Sequence, residues 1–447
     1  MPMRCTTNTL ARILAVLCPL ACTALPALAD DDSARAPEPW RLDAQVTTVV
    51  QRHPRFRSPY AGPNSLLADE PAQETTDFTL YAGWHVGSAT ELWINPEIDQ
   101  GFGLSNTLGV AGFPSGEAYK VGAARPYLRL PRAFVRHTIA LDGDTRKVDA
   151  ATNQFAGATT ADNLVLTVGK FSAVDIFDTN TYAHDPRADF LNWSIIDAGP
   201  FDYAADAWGY TFGAAAEWTT GAWTLRGGVF QLSKIPNGKV AGLHMDQHML
   251  VAELERRHEW RGHPGKTKLL VFDNRGRMAR YDDAVELARM TGDAPDAARV
   301  RRMQTRGGVA LNIEQELAED LGVFARAGAN DGRKEAYEFT EINRSVSGGL
   351  ALRGARWGRD DDTVGAAFAI NGLSAAARHY FAAGGMGILI GDGRLDYATE
   401  RVFEAYYAVH LNKRVAVTFD VQRIVHPAYN ADRGPVSVYG VRLHADL

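Results

Sequence analysis

The end of the chain alternates between apolar and polar residues up to its final position. One face carries Gly440, Arg442, His444 and Asp446, and the other carries Tyr439, Val441, Leu443, Ala445 and Leu447. Successive side chains of a strand point to opposite faces, so this segment predicts a β-strand with one apolar face and one polar face. A chain patterned as a strand to its last residue favours a closed sheet, because a closed sheet leaves no free edge.

The same alternation recurs along the chain, most clearly at 309–314, 321–327, 403–411 and 415–421, and a short turn lies between Trp218 and Trp223. It predicts sixteen strands near 40–51, 78–85, 90–98, 132–141, 162–171, 208–218, 222–232, 247–257, 267–277, 304–315, 321–330, 344–356, 363–371, 399–411, 414–424 and 436–447.

The predicted connections alternate in length. Short ones lie near 86–89, 219–221, 261–266, 317–320, 357–362 and 412–413, and long ones near 99–131, 172–207, 279–300, 372–398 and 425–435. The connection at 142–161 is longer than a turn should be. An even strand number with alternating short turns and long loops is typical of outer-membrane barrels. The predicted fold class is therefore all-β, a closed antiparallel transmembrane β-barrel over 30–447.

The first 29 residues have the layout of a secretory signal peptide. Arg4 and Arg12 precede an apolar stretch at 13–20, and Ala27-Leu28-Ala29 forms a small-residue cleavage site. A lipoprotein signal ending at Cys22 needs leucine at position 19, where Pro19 stands. We expect Sec-type cleavage after Ala29 and location in a Gram-negative outer membrane.

Composition excludes several other classes. Cys5, Cys18 and Cys22 all precede the predicted cleavage site, so no disulfide or thiol chemistry is expected in the mature chain. Loss of Arg4 and Arg12 takes the formal net charge from -6 to -8. With no basic run, nucleic acid is not an expected partner. No run of about 18 apolar residues follows Ala29, so no transmembrane helix is predicted.

A soluble β-sandwich would also alternate, with its apolar residues in a core. The terminal strand, the signal peptide and the Trp-flanked turn favour the barrel over the sandwich, since an aromatic girdle is expected at the membrane edge.

Several longer motifs resemble the carbohydrate-selective porin family (OprB type). They are NPEIDQGFGLSNTLGVAGF at 95–113, VGKFSAVDIFDTN at 168–180, DPR at 185–187, FLNWS at 190–194, RGRMARYDD at 275–283 and GDGRL at 391–395. The resemblance runs from about His53 to the C-terminus. It implies passive, sugar-selective diffusion through a single-chain barrel with a narrowed pore. Leu447 departs from the aromatic residue that usually ends such barrels.

Patterns that would carry catalysis are incomplete. The stretch 101–106 lacks the third glycine of a dinucleotide fingerprint, and 112–116 is not a nucleophile elbow. His244 and His248 would lie about 13 Å apart on a strand, too far to share an ion. We therefore predict no catalytic residue, no metal site and no cofactor. The segment 281–299 predicts a short helix in an outer loop.

Charged side chains on the strands are assigned to the lumen, because a charge facing lipid costs roughly 2–4 kcal/mol at the midplane. The same parity turns Val323, Tyr407 and Phe419 toward lipid. We expect the loops at 99–131 and 172–207 to fold inward and narrow the channel. The candidate pore-lining or substrate-binding residues are Glu91, Asn95, Glu97, Asp99, Arg132, Arg136, Asp175, Asp178, Asn180, Arg326 and Arg353.

The favoured function is passive, selective diffusion of small carbohydrates. The alternatives are a general or anion-selective porin, which would differ in pore charge and width, and a barrel enzyme, which would need a convergent Ser-His-acid set. Expected partners are small sugars, outer-membrane lipid and the barrel assembly machinery.

Overall fold

The computed structural model describes residues 38–118, 121–339 and 341–447. The predicted cleavage after Ala29 lies outside the described residues. One compact unit spans Pro39–Leu447. All structural statements below concern this part of the chain.

Sixteen antiparallel strands form one closed barrel in which each strand pairs with its neighbours in sequence and β1 pairs with β16. The strands are β1 Trp40–Arg52, β2 Gln73–His85, β3 Thr90–Gly101, β4 Ala123–Val148, β5 Gly157–Phe171, β6 Thr211–Thr220, β7 Trp223–Gln231, β8 His248–Trp260, β9 His263–Met278, β10 Arg302–Ala318, β11 Leu321–Asn330, β12 Arg344–Gly354, β13 Arg359–Gly372, β14 Glu400–Asn412, β15 Val415–Val425 and β16 Val436–Asp446. The predicted fold class and all sixteen strand positions are confirmed.

Two strands extend well beyond their predicted bounds. β4 begins at Ala123, so 123–131 belongs to the wall and not to the preceding loop, and Asp99 likewise lies on β3. β4 also continues to Val148 and pairs with β5 as far as Gly157. The connection that looked too long for a turn is thus a long hairpin that leaves only 149–156 outside the strands.

The two ends of the barrel differ. Both termini of the sheet lie at the end with the short turns, while long connections join the strands at the other end. Six exposed tryptophans lie next to the short-turn end, as expected where aromatic rings meet a membrane edge. They are Trp40, Trp84, Trp218, Trp223, Trp260 and Trp357.

The long connections carry the helices. These are α1 Trp193–Ile196, α2 Tyr281–Thr291 and α3 Ala375–Ala382, with 3-10 turns at Leu104–Thr107, Ala173–Asp175, Ala297–Val300 and Pro427–Tyr429; a fifth such turn, Ala355–Trp357, follows β12 at the short-turn end. α2 confirms the helix predicted within 281–299, and it ends at Gly292, which has the positive φ that a residue without Cβ adopts freely. No helix in the described residues has the length and apolar character to span a bilayer.

The buried apolar core lies inside the barrel, where the long connections meet the wall. Much of it comes from 172–210, including the fully or nearly fully buried Phe177, Phe190, Phe201 and Tyr203. The outward face of the strands shows the opposite pattern, with Phe403, Phe419 and Tyr439 exposed. A folded chain that exposes apolar side chains around its whole sheet and buries polar ones inside is suited to a lipid surrounding.

Candidate functional site

The segment 172–210 (the crossing segment) is bound to one side of the inner wall by a buried polar network. Arg326 on β11 donates from Nε to Asp178 Oδ1 at 3.2 Å, and Asn312 on β10 donates to the same oxygen at 2.7 Å. The Asp178 backbone N–H donates to Glu253 on β8 at 2.8 Å, and Asn180 donates to Asn312 at 2.8 Å. These groups are almost wholly buried, so their bonds fix the segment to β8, β10 and β11.

The same segment is also bound to the opposite side. Arg442 on β16 donates to the carbonyl oxygens of Pro186, Ala188 and Asp189, each at 2.7 Å. The carboxylate of Glu404 on β14 accepts from the backbone N–H groups of Leu191 and Asn192, the two residues that precede α1. Because it is bound on both sides, the crossing segment spans the interior and divides it.

A second segment, 102–122, packs against the first. The carboxylate of Glu400 accepts from the backbone N–H groups of Ala111 and Gly112, at 3.0 and 2.6 Å. The rings of Phe113 and Trp193 stack with centroids 5.1 Å apart. The two segments thus form one layer across the barrel, described for 102–118 and 121–122 of the second segment.

Between this layer and strands β1, β2 and β4 lies a cavity of about 410 Å³. Its charged lining consists of Arg129, Arg132, Arg136 and Arg187 on one hand and of Glu117, Asp175, Asp185 and Asp197 on the other. Its aromatic lining consists of Tyr81, Phe113, Phe134, Trp193, Tyr203, Trp208, Tyr210 and Phe339. The formal charges of these acidic and basic groups balance, and rings flank them.

A β-bulge in β4 sets the arginines of the wall. Asn95 of β3 faces Arg132, but Glu97, two residues on, faces Arg129, so three residues of β4 oppose two of β3. The extra residue reverses the alternation around Pro131, which has no N–H to lose from the ladder. Arg129 and Arg132 consequently both point inward, and their guanidinium groups lie 5.1 and 4.9 Å from the centroid of the Tyr210 ring.

Each arginine of the cavity has an acidic partner. Arg132 binds the Asp175 carboxylate through two nitrogens at 2.6 and 2.8 Å, and Arg129 binds Glu97 and Asp99. Arg136 lies 3.4 Å from Glu91. Burial acts to raise the pKa of Asp175, but the Arg132 guanidinium outweighs it and holds that pKa below its usual range.

Arg187, on the crossing segment, lies among three carboxylates. Its nitrogens are 3.3 Å from Asp77, 3.4 Å from Glu97 and 3.4 Å from Glu117. Burial opposes its charge, yet these neighbours raise its pKa well above the usual value. Arg187 therefore stays charged and links the segment to β2 and β3.

The end of the β4–β5 hairpin enters the site from the short-turn side. Asn95 donates to the side chain of Asn153 at 2.8 Å, and Arg136 donates to the Asn153 carbonyl at 2.7 Å. Phe155 is buried against Trp93, with ring centroids 4.9 Å apart. The hairpin thus contacts inward-facing residues of β3 and β4 and borders the cavity.

The structure separates the candidate residues into three groups. Arg132, Arg136 and Asp175 line the cavity. Four other candidates do not line it but bind residues that do: Glu91 binds Arg136, Asn95 binds Asn153, and Glu97 and Asp99 bind Arg129. Asp178, Asn180 and Arg326 belong to the buried network that holds the crossing segment. Arg353 lies apart from both groups, exposed near the short-turn end of β12.

Sequence reasoning missed Arg129, Arg187, Glu117 and the rings around them. Simple alternation back from Arg132 and Arg136 turns Arg129 outward, and only the bulge reverses it. Arg187 and Glu117 lie on irregular segments, where no periodicity predicts a direction. Within the described residues, no group of three or more His, Cys, Asp or Glu is placed to hold a metal ion.

Comparison with known proteins places this geometry in a family. The profile described as "Carbohydrate-selective porin, OprB family" matches residues 64–447. Porin AaxA of Chlamydia abortus is 22% identical over 397 residues, which cover 85% of this chain and 78% of that protein.

Solved structures share the fold. OprB of Pseudomonas putida superposes with a TM-score of 0.70 at 16% identity, covering 91% of this chain and 94% of that one. The outer-membrane channel DcaP of Acinetobacter baumannii gives a TM-score of 0.50 at 11% identity, covering 91% and 97%. The family match over most of the chain, together with the closed barrel, shows that this chain belongs to the OprB family of carbohydrate-selective porins, which are channels of the Gram-negative outer membrane.

Proposed function

We propose that the 410 Å³ cavity is the constriction of the pore and that it passes neutral mono- and small oligosaccharides by energy-independent diffusion. The observation that carries this proposal is the balance of four arginines and four carboxylates on a wall that also carries aromatic rings. A wall on which positive and negative charges balance attracts neither cations nor anions strongly. Its hydrogen-bonding groups replace water around the hydroxyl groups of a sugar.

The paired arginines suit this task. A guanidinium has five N–H donors, and a carboxylate partner uses at most two or three of them. The remaining donors of Arg132 and Arg136 are available for hydroxyl groups of a passing sugar. Tyr203, Trp208 and Tyr210 offer ring faces for the apolar face of a sugar ring. Each contact is weak, as conduction requires, because a tightly held solute does not leave.

The proposal extends to the setting of the barrel. We infer that the signal is cleaved after Ala29, that lipid covers the outward apolar face, and that the assembly machinery reads β16, the strand that closes the cylinder against β1. Small sugars are the proposed substrates, and the chain acts as a channel without catalysing a reaction.

Liposome swelling tests the sugar selectivity. Vesicles that contain the protein should swell faster in glucose-sized sugars than in amino acids of similar size. Equal rates for both solutes would contradict the proposal and favour a general porin.

One observation favours the anion-selective alternative. Arg129, Arg132, Arg136 and Arg187 all face one cavity, and a solute that displaced their carboxylate partners would meet four positive charges. Reversal potentials in a salt gradient separate the two functions, since balanced charges predict weak ion selectivity and an unbalanced arginine cluster predicts strong anion selectivity.

A further inference from the structure

Four neighbouring arginines lie on the outward face of β1, β12, β14 and β15, near the end of the barrel that carries the long connections. They are Arg52 on β1, Arg344 on β12, Arg401 on β14 and Arg423 on β15. Each occupies the exposed parity of its strand. Thr47, Val49 and Gln51 are buried on the inner side of β1, for example, while Arg52 is exposed.

The strand register makes these arginines neighbours. Arg423 pairs with Phe403 and Arg401 pairs with Val425, so Arg401 and Arg423 are diagonal neighbours on adjacent strands. Arg401 pairs across to Ile370, and Arg344 pairs with Gly372 on the same strand β13. On the other side, β16 alone separates Arg423 from β1 and Arg52. With strands about 4.8 Å apart, the four guanidinium groups form one belt, here called the arginine belt.

The belt differs from the inward arginines in having no acidic partner. Among the residues that the structure describes, none of the four arginines forms an ion pair. In the described part of the chain, one side-chain hydrogen bond involves a belt arginine: Arg423 donates to Ser437 Oγ at 2.7 Å. By contrast, Arg129, Arg132, Arg187 and Arg326 all bind carboxylates.

Apolar side chains lie beside the belt and below it, toward the middle of the barrel. Ile370, Phe403, Val421 and Tyr439 are 42–55% exposed on the same outward face. A row of guanidinium groups without acidic partners at the edge of an apolar surface matches the boundary between hydrocarbon and headgroups, where anionic lipid attracts basic residues.

We propose that the arginine belt binds phosphate groups of the phosphorylated glycolipid in the outer leaflet. The long-loop end of such barrels faces outside the cell, so the belt meets that leaflet. Guanidinium groups bind phosphate oxygens through paired hydrogen bonds, and two or more phosphates on one lipid match two or more arginines of the belt. This inference rests on the outer-membrane location given above, but not on sugar selectivity.

The test compares lipid binding by a belt variant and by a single-site control variant at the opposite end of the barrel. The variant carries Arg52→Gln, Arg344→Gln, Arg401→Gln and Arg423→Gln. The control carries Arg256→Gln, which removes an exposed outward arginine of β8 near the opposite end, where its guanidinium lies 5.4 Å from the Trp223 ring centroid. Detergent-solubilised protein is titrated with bis-phosphorylated lipid A, with dephosphorylated lipid A and with phosphatidylglycerol, and bound lipid is counted by native mass spectrometry.

The wild-type protein and the control should bind bis-phosphorylated lipid A at least ten-fold more tightly than the belt variant does. Dephosphorylated lipid A should bind the wild-type protein as weakly as bis-phosphorylated lipid A binds the belt variant. Binding of phosphatidylglycerol equal to that of lipid A would overturn the assignment to the glycolipid. An unchanged affinity in the belt variant would overturn the site itself, as would a change in oligomeric state with unchanged lipid binding.

Glucose-driven liposome swelling shows whether the belt variant folds. It should swell as the wild-type protein does, because none of the four arginines lines the cavity. If the wild-type protein bound lipid A through the belt but did not prefer sugars, only the proposed sugar selectivity would be refuted. Failure of the lipid-binding proposal can therefore be distinguished from failure of the proposed function.

Discussion

Arg326 and Arg132 are both wall arginines that point inward and bind an aspartate of the crossing segment, yet their surroundings differ. The Arg326 side chain is 1% exposed and its partner Asp178 is equally buried, whereas the Arg132 side chain is 14% exposed and Asp175 is 27% exposed. Arg326 lies under the segment and Arg132 lies beside it, at the cavity. Strand parity decides which residues face the interior, but the crossing segment decides which of them meet solute.

The two arginines also differ in what else they bind. Arg326 donates to the carbonyl oxygens of Ile195 and Ala183, both at 2.8 Å, so every side of its guanidinium is engaged by the segment. Arg132 has Asp175 and the Tyr210 ring as neighbours and borders open volume. Arg326 therefore holds the segment in place, whereas the proposed contact of Arg132 with solute remains to be tested by the variants below.

Arg326→Met should have the largest effect. It removes the bonds to three carbonyl groups, those of Asp178, Ala183 and Ile195, and leaves the buried Asp178 carboxylate without its guanidinium. Breaking a buried pair in this way costs about 3–5 kcal/mol. The thermal unfolding temperature should fall, and the loosened segment should admit oligosaccharides that the wild-type pore excludes. Unfolding curves and liposome swelling with sugars of increasing length measure both effects.

Arg353→Met is the matched control, since Arg353 is exposed and has no ion pair among the described residues. It should leave stability and the size limit nearly unchanged. If the two variants behaved alike, the distinction between covered and open wall arginines would be wrong.

Arg136→Glu should have the next largest effect. Arg136 borders the cavity and lies 3.4 Å from Glu91. The substitution therefore replaces this ion pair by two neighbouring negative charges. Reversal potentials should shift toward cation selectivity and sugar flux should fall several-fold, while the barrel remains folded. Arg256→Glu makes the same charge change on the outward face, and a shift of equal size in that variant would show that the effect is not local to the cavity.

Part of this comparison could be predicted from the sequence. Alternation placed all sixteen strands, because each strand is apolar on one face and polar on the other. Alternation predicted that Arg132, Arg136 and Arg326 all point inward. It could not distinguish the buried Arg326 from the two arginines at the cavity, because the crossing segment that covers Arg326 lies about 130–150 residues earlier in the chain.

The site residues that the sequence did not predict depend on local departures from regular strand structure. Arg129 depends on one bulge near Pro131, which breaks the alternation that the prediction follows. Asn153 and Phe155 reach the site because β4 and β5 continue as a hairpin that packs against the inner wall. Neither feature has a periodic signal in the sequence.

Cysteine accessibility sharpens the comparison at the level of single positions. Arg136→Cys lies at the cavity, Ser347→Cys is inward but 2% exposed next to Arg326, and Val323→Cys faces lipid. A charged, membrane-impermeant thiol reagent should modify position 136 at least ten-fold faster than positions 347 and 323. All three native cysteines precede the proposed cleavage site, so the mature wild-type protein serves as the unlabelled control. Equal labelling at 136 and 323 would place the register of β4 or β11 one residue away from that described.

The smallest expected effect is a pH dependence from His184, on the cavity side of the crossing segment. Its Nδ1 lies 3.6 Å from Asp197, and both residues line the cavity. Burial acts to lower the pKa of His184, but the nearby Asp197 carboxylate outweighs it, so the pKa is raised above its usual 6.5. Asp178 raises it further and Arg326 lowers it.

His184 is therefore charged below this raised pKa and neutral above it. As the pH rises through that range, the cavity loses one positive charge, and the anion preference measured by reversal potential should fall modestly. Asp189, whose pKa burial raises to about 6, loses its proton over a neighbouring range but does not line the cavity. His184→Gln should thus remove most of the pH dependence and keep the fold. A variant that retained the full wild-type pH dependence would assign the titration to a group other than His184.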